Sequence, residues 1–401
     1  MHAPDYRRGM GSEVAAPAGP GVLDALSLLS QVADELVVRT VRDTHVAWLD
    51  RVQGVTCGRE ARGSAASTLH RGIAAAVYGG LGLGLRAAST GLGKAADSGA
   101  GPRLEDDARG RFVTSAVNGL IGDRLVRERP RMAIPMAVRA GGRDVRVDSE
   151  GLAHAFPKAS GRVVVFLHGL CENEEYWNRG RAATGSTYGE TLAAAGWTPV
   201  FLRANTGLGL RENGVALSAL LRQLVDDWPT DVTRIALVGH SMGGLIMRAA
   251  GAVATGVDRP WTDLVSDVVT LGTPHLGAPI ARGIGHGSRG LGRLPETAAF
   301  GRILDWRSLG VHDLVAGLTD DVPPLPHARY RLVAGTLTQS RRHPVGHVVG
   351  DFFVRVPSAY GRDRWGDELF PDADVLHVGR ADHFDLLNHP DIHSALRRWL
   401  A

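Results

Sequence analysis

Lysine is nearly missing from this chain. Of 401 residues only Lys94 and Lys158 are lysines, so the 45 basic residues are almost all arginine. They are set against 42 acidic ones, and the net charge is only +3. No basic run with interleaved aromatics occurs, so nucleic acid is not an expected partner. Cysteine is equally scarce: Cys57 and Cys171 are the two present, with no metal-ligand spacing and no disulfide framework. Neither a metal nor an organic cofactor is expected. Long apolar runs are absent too. The most apolar stretch, Ile73 to Leu85, is Gly-rich and falls short of the roughly 20 residues that span a bilayer. Near the N-terminus Arg7 and Arg8 are followed by "GMGSEVAAPAGPG", which is no continuous apolar segment. A cleaved signal is therefore not expected, and the cytoplasm is the expected location.

Hydrophobic content of 44% and charged content of 22% are ordinary for a globular chain. Residues 1–20, rich in Ala, Gly and Pro, read as a disordered tail. From Val22 to about Val52 the pattern is helical, with Val22, Leu26, Leu29, Ala33 and Leu36 on one face. Further helical stretches are expected over about Ala65–Ala88 and Arg111–Val126. Residues 21–140 thus form a helical extension that packs on the core. The other reading of that extension is an interfacial element that meets a membrane or lipid surface, or a partner. Oligomeric state is not legible.

The character changes near residue 140. Strands are expected in "RDVRVDSE" (143–150), "RVVVFLHGL" (162–170), "TPVFLRANTG" (198–207), "RIALVGH" (234–240), "VSDVVTLGTP" (265–274), "RYRLVAGTL" (329–337) and "DVLHVGR" (374–380). Helices are expected over Tyr188–Ala195, Asn213–Trp228, Met242–Ala254 and Asp391–Leu400. Apolar strands that alternate with helices predict an α/β fold, a mostly parallel sheet covered on both faces. Residues 141–401 form that domain. The stretch 276–327 interrupts the alternation and is long for a connection, so a lid or cap is expected there.

One strand–helix junction reads "IALVGHSMGGLIMR" (235–248). With 52 glycines in the chain, chance supplies roughly 0.3 matches to Gly-x-Ser-x-Gly, so the pattern alone is weak. Its context is what counts. Gly239-His240-Ser241-Met242-Gly243 joins an apolar strand to a helix, as a nucleophile elbow requires. Gly239 and Gly243 leave room for the helix to pass close to the strand. The turn lifts Ser241 Oγ above the carboxyl edge of the sheet, and Met242 N–H at the helix N-terminus faces a developing oxyanion. A second donor is expected from Leu170 N–H, after His168-Gly169. His168 is expected to orient that loop by hydrogen bonds. Cys171 beside it has no apparent base and reads as a small buried filler.

A serine nucleophile needs an acid and a base, in the chain order Ser, acid, His. His383, after the last strand, is the expected base. His377 lies inside that strand, His389 before Pro390 at a helix start, and His393 within the helix. For the acid, Asp351, Asp363, Asp367, Asp372 and Asp374 are candidates, with Asp351 preferred and Asp363 and Asp367 next.

The segments "VVVFLHGLCENE", "LRANTGLG", "LVGHSMGGLIMRAA", "VTLGTPHLGAPIA", "GDFFVRVPSA" and "ADHFDLLNHPDI" together resemble serine lipases and esterases of the α/β-hydrolase superfamily, nearest to bacterial relatives of triacylglycerol lipases and GPI inositol-deacylases. The resemblance covers about residues 160–401. It implies an α/β-hydrolase fold, Ser241, Asp351 and His383 as catalytic triad, and Leu170 and Met242 as oxyanion donors. Relatives often have Gly-Asp-Gly where this chain has Gly350-Asp351-Phe352. The resemblance implies hydrolysis of a small-molecule or lipid carboxylic ester through an acyl-enzyme. An acyltransferase or thioesterase would use the same residues, and a non-catalytic binding protein would keep only the fold.

Overall fold

The computed structural model describes residues 20–32, 34, 65–99, 101–254, 256, 259–278, 308–318, 322–340, 343, 350–363 and 365–401, and of residues 65–78 the backbone alone. The expected tail, the second half of the first helical stretch and most of the 276–327 insertion lie outside these residues.

Eight strands form one sheet: β1 (Ala137–Ala140), β2 (Arg143–Val145), β3 (Arg162–Leu167), β4 (Thr198–Arg203), β5 (Arg234–His240), β6 (Val265–Leu271), β7 (Arg329–Thr336) and β8 (Asp374–Gly379). Their order is β2-β1-β4-β3-β5-β6-β7-β8. The β2–β1 and β1–β4 pairs are antiparallel, and β4 through β8 run parallel. β1 lies at the end of the stretch assigned to the helical extension, beyond its last expected helix; it is short and follows Pro130 and Pro135. The stretch "RDVRVDSE" is a strand only to Val145. Asp148 then accepts from Gly151 N–H and starts a helix, Ser149–Ala155.

Both sheet faces are apolar because successive strand residues point to opposite sides. Val163, Val165 and Leu167 of β3 enter one cluster, and Val164 and Phe166 enter the other. On the first face the cluster takes Leu217, Leu221 and Leu224 from the helix Leu210–Asp227, and Leu245 and Ile246 from the helix Met242–Gly251. On the second it takes Leu192 from the helix Tyr188–Ala194, and Ile392 and Leu396 from Pro390–Trp399. Each such fully buried side chain contributes about 1.5–3 kcal/mol over its exposed state. These two layers hold the carboxyl ends of β3, β5, β7 and β8 in fixed relation, and the candidate site sits on that edge.

The extension contributes helices Val22–Val32, Ala65–Asp97 and Ala108–Glu128. The last buries a face of small and polar residues, Gly110, Thr114, Ser115, Asn118, Gly119 and Gly122, before Leu125. Smallness brings its backbone against the core. A β-carbon on Gly119 would lie 2.4 Å from Cys171 Sγ and 2.9 Å from Cys171 Cα. The helix kinks at Ile121 (φ −140°, ψ 22°). Ser308 meets the carbonyls beside the kink, its N–H donating to Leu120 O at 2.9 Å and its Oγ to Gly119 O at 2.8 Å. An ionic cluster around two buried arginines adds a second anchor. Arg203 of β4 reaches Glu105 Oε2 at 2.6 Å and Asp144 Oδ1 at 2.9 Å, and Arg139 of β1 reaches Glu174 Oε1 at 2.8 Å. Among the described residues no helix is long and apolar enough to cross a membrane.

Candidate active site

The turn after β5 carries Ser241 at φ 51°, ψ −121°, a left-handed backbone that a non-glycine residue adopts only under constraint. Three constraints are visible. Ser241 N–H donates to Leu271 O of β6 at 2.8 Å. A β-carbon on Gly243 would lie 2.3 Å from Leu167 O, so only glycine lets the helix Met242–Gly251 cross the end of β3. A β-carbon on Gly239 would lie 2.5 Å from Gly244 N, which closes the turn from below. Ser241 thereby caps the helix N-terminus at the sheet's carboxyl edge.

The loop after β3 runs beside it. A β-carbon on Gly169 would stand 2.9 Å from Ser241 Cβ. His168 is fully buried; its Nε2 accepts from Ala204 N–H at 3.1 Å and its Nδ1 donates to Gly169 O at 2.9 Å. Both ring nitrogens are thus used in holding the loop, and burial lowers its pKa, which keeps the ring neutral. Cys171 sits at φ 62°, with its N–H donating to Thr206 Oγ1 at 3.1 Å. Burial, and then the Glu172 carboxylate, push the Cys171 thiol up to about 11. It stays a thiol at neutral pH and is no nucleophile. Among the described residues neither Leu170 N–H nor Met242 N–H meets an acceptor, so both can face a ligand oxygen.

His383 lies in the turn after β8, under 5% exposed. Its Nδ1 donates to Asp351 Oδ2 at 2.8 Å, and its backbone N–H to Asp351 O at 3.0 Å. The second carboxylate oxygen of Asp351 accepts from Phe353 N–H at 3.0 Å and Val354 N–H at 2.8 Å. A donor at each oxygen holds the carboxylate plane, and the carboxylate fixes the ring tautomer with the lone pair on Nε2. The other candidate acids are elsewhere. Asp363 Oδ1 accepts from Trp365 and Asp367 N–H in a turn of its own, and Asp374 opens β8 beside Arg331. Of the competing histidines, His377 Nε2 meets Thr336 Oγ1 at 2.8 Å, His389 caps the last helix, and His393 Nδ1 meets Thr191 Oγ1 at 3.0 Å. Ser241 Oγ and His383 Nε2 make no hydrogen bond to each other. In serine hydrolases such bonds commonly tighten only as substrate binds.

Two residues of the site are not among the sequence expectations. His240 and Glu172 are buried between the serine turn and the loop after β3, with His240 Nδ1 2.9 Å from Glu172 Oε2. The His240 ring lies 4.7 Å from the His383 ring, centroid to centroid. Burial alone would lower the His240 pKa and raise that of Glu172. The opposite charge and the hydrogen bond between them outweigh burial, so His240 is raised and Glu172 lowered. A sequence signal existed: a histidine directly before the serine, and an acid three residues after Gly169. Three acids within "CENEE" concealed which one turns inward.

Phe352, at the position where the resemblance leads one to expect glycine, adopts φ 84° and its side chain stands 52% exposed. The Gly-Asp turn keeps its left-handed shape with a residue that pays about 1–2 kcal/mol for it. Phe352→Gly is expected to raise stability by up to about 1 kcal/mol, after the added unfolded-state freedom of glycine. Urea unfolding of the two proteins checks this; a lower midpoint for the glycine variant would refute it.

Residues 157–294 match a family described as "Putative serine esterase (DUF676)". A triacylglycerol lipase of Pseudarthrobacter phenanthrenivorans is 32% identical over 124 residues, 29% of this chain and 34% of that one. A triacylglycerol lipase of Burkholderia plantarii is equally similar over 31% of its length. The chain thus spans about a third of the length of the curated relatives it matches. Among solved structures, the mature lipase BlEst2 of Bacillus licheniformis aligns with 60% of this chain and 92% of its own, at 22% identity and a TM-score of 0.42. Sheet order and the serine turn at its carboxyl edge give the chain an α/β-hydrolase fold, with residues 157–294 similar to a family of serine esterases.

Proposed function

We propose that the protein hydrolyses carboxylic esters through an acyl-enzyme on Ser241. The observation that carries this reading is the Asp351–His383 hydrogen bond of 2.8 Å, at the same sheet edge as a serine held at φ 51°. His383 Nε2 takes the Ser241 proton as Oγ attacks the ester carbonyl. The carbonyl oxygen becomes an oxyanion and accepts from Leu170 and Met242 N–H. The C–O bond to the alcohol breaks, and His383 gives its proton to that leaving oxygen. Water then enters, losing a proton to His383, and the acid leaves as Ser241 regains its own. No step calls for a metal or organic cofactor.

The substrate class is an ester with an apolar portion. Phe353 and Phe384 rings lie 5.3 and 5.7 Å from the His383 ring, and Phe352 and Phe353 are about half exposed. The relatives over the matched segment are named triacylglycerol lipases. A rate series over p-nitrophenyl esters of increasing acyl length tests the reading. Turnover that is blocked by a fluorophosphonate is the expected result. A purified, folded protein that neither cleaves any ester nor takes up the label would end it.

A further inference from the structure

We propose that Glu172 and His240 form a buried carboxylate–imidazolium pair that holds the oxyanion loop and the base loop in register across Ser241. Both are positioning residues, and this role rests on the esterase reading above.

The hydrogen-bond inventory around His240 leaves little choice of proton placement. Nδ1 faces Glu172 Oε2 at 2.9 Å, and Nε2 faces the backbone carbonyl of His383 at 3.1 Å. A carbonyl oxygen only accepts, and so does an ionised carboxylate. Satisfying both requires a proton on each nitrogen, which is the imidazolium. Glu172 Oε2 also accepts Gly169 N–H at 2.8 Å. One carboxylate oxygen therefore ties down the residue that precedes the Leu170 donor. Through the His240 ring it also ties down the backbone of the base. Ser241, next in chain to His240, sits between the two. Glu172 and His240 are both at most 3% exposed, so water does not compete for these bonds. His240 and Glu172 also couple to backbone: Glu172 N–H donates to Gly169 O at 3.2 Å, so the loop closes on itself around the carboxylate.

Removing the charge of Glu172 breaks this arrangement in a defined way. A neutral imidazole has one N–H for two facing acceptors, and one of them is left unmet. In Glu172→Gln, either the His383 carbonyl or the oxyanion loop loses its tie. The loss then falls on the chemical step and not on substrate capture.

Two measurements test the pair. Nitrogen-15 NMR of histidine-labelled wild-type protein at pH 7 is expected to find both His240 ring nitrogens protonated. A neutral ring with a single proton would overturn the proposal, whatever the protein's activity. In ester hydrolysis, Glu172→Gln is expected to lower kcat by about 10²-fold, the smaller end of what one lost oxyanion donor costs, with KM nearly unchanged. Fluorophosphonate labelling should slow in parallel. His240→Asn should do the same, and the double variant should lose little more than either single one. If Glu172→Gln does not fold, His240→Asn alone decides. Unchanged kcat in a folded variant, or losses that multiply in the double variant, would refute the positioning role. A wild type that turns over no ester refutes the esterase reading instead, and the NMR result still reports on the pair.

Discussion

Ser241→Ala is expected to abolish ester turnover, lowering kcat by about 10⁵–10⁶-fold, and to leave the fold intact. The size follows from what remains. Leu170 and Met242 N–H, the His383 ring and the substrate contacts stay in place, so the variant keeps binding and oxyanion stabilisation but has no covalent route. The fold should survive because Oγ makes no hydrogen bond among the described residues, and the strained turn depends on Gly239, Gly243 and the Ser241 N–H to Leu271 O. Alanine accepts the same backbone with the same β-carbon. Steady-state kinetics on a p-nitrophenyl ester, read beside a thermal melt, checks both halves. Residual kcat within 100-fold of wild type in carefully purified protein would remove Ser241 from the mechanism.

The serine turn was legible because parallel strands buried on both faces are near-continuous apolar runs. "RIALVGH" coincides with β5, Arg234–His240. Strand ends were less legible. "VSDVVTLGTP" reads as extended to Pro274, yet β6 stops at Leu271, because Gly272 turns at φ 58° beneath the His383 ring. The helix Ala65–Asp97 runs past Ala88 through "STGLGKAAD", across two more glycines. Gly84 and Gly91 have nothing within reach of an added β-carbon among the described residues. The helix Ala108–Glu128 shows the deeper limit. Its packing face is made of glycine, serine, threonine and asparagine, and hydrophobic periodicity is blind to such a face. Its partners, Cys171, Asn205 and Ser308, are far apart in sequence. The Glu172–His240 contact, 68 residues apart, is hidden for the same reason.

Asp351→Asn is expected to lower kcat by about 10⁴-fold with little change in KM, the effect of inverting the tautomer of a catalytic histidine. The amide oxygen can still accept from Phe353 and Val354 N–H, as Asp351 Oδ1 does, so the turn keeps its shape. Its amide nitrogen then faces His383 Nδ1 as a donor. Nδ1 must offer its lone pair, the proton moves to Nε2, and the ring can no longer take the Ser241 proton. The imidazolium formed in the transition state also loses its counter-charge. The same measurement separates Asp351 from the acids that share its stretch of chain. Asp363 spends its carboxylate on Trp365 and Asp367 N–H, and Asp367 lies in that same turn. Asp363→Asn and Asp367→Asn should therefore stay within about 2-fold of wild type, as surface substitutions usually do. Should Asp351→Asn keep a tenth of the wild-type kcat while either of the others falls by orders of magnitude, the acid of the triad is not the one that holds His383 in this structure.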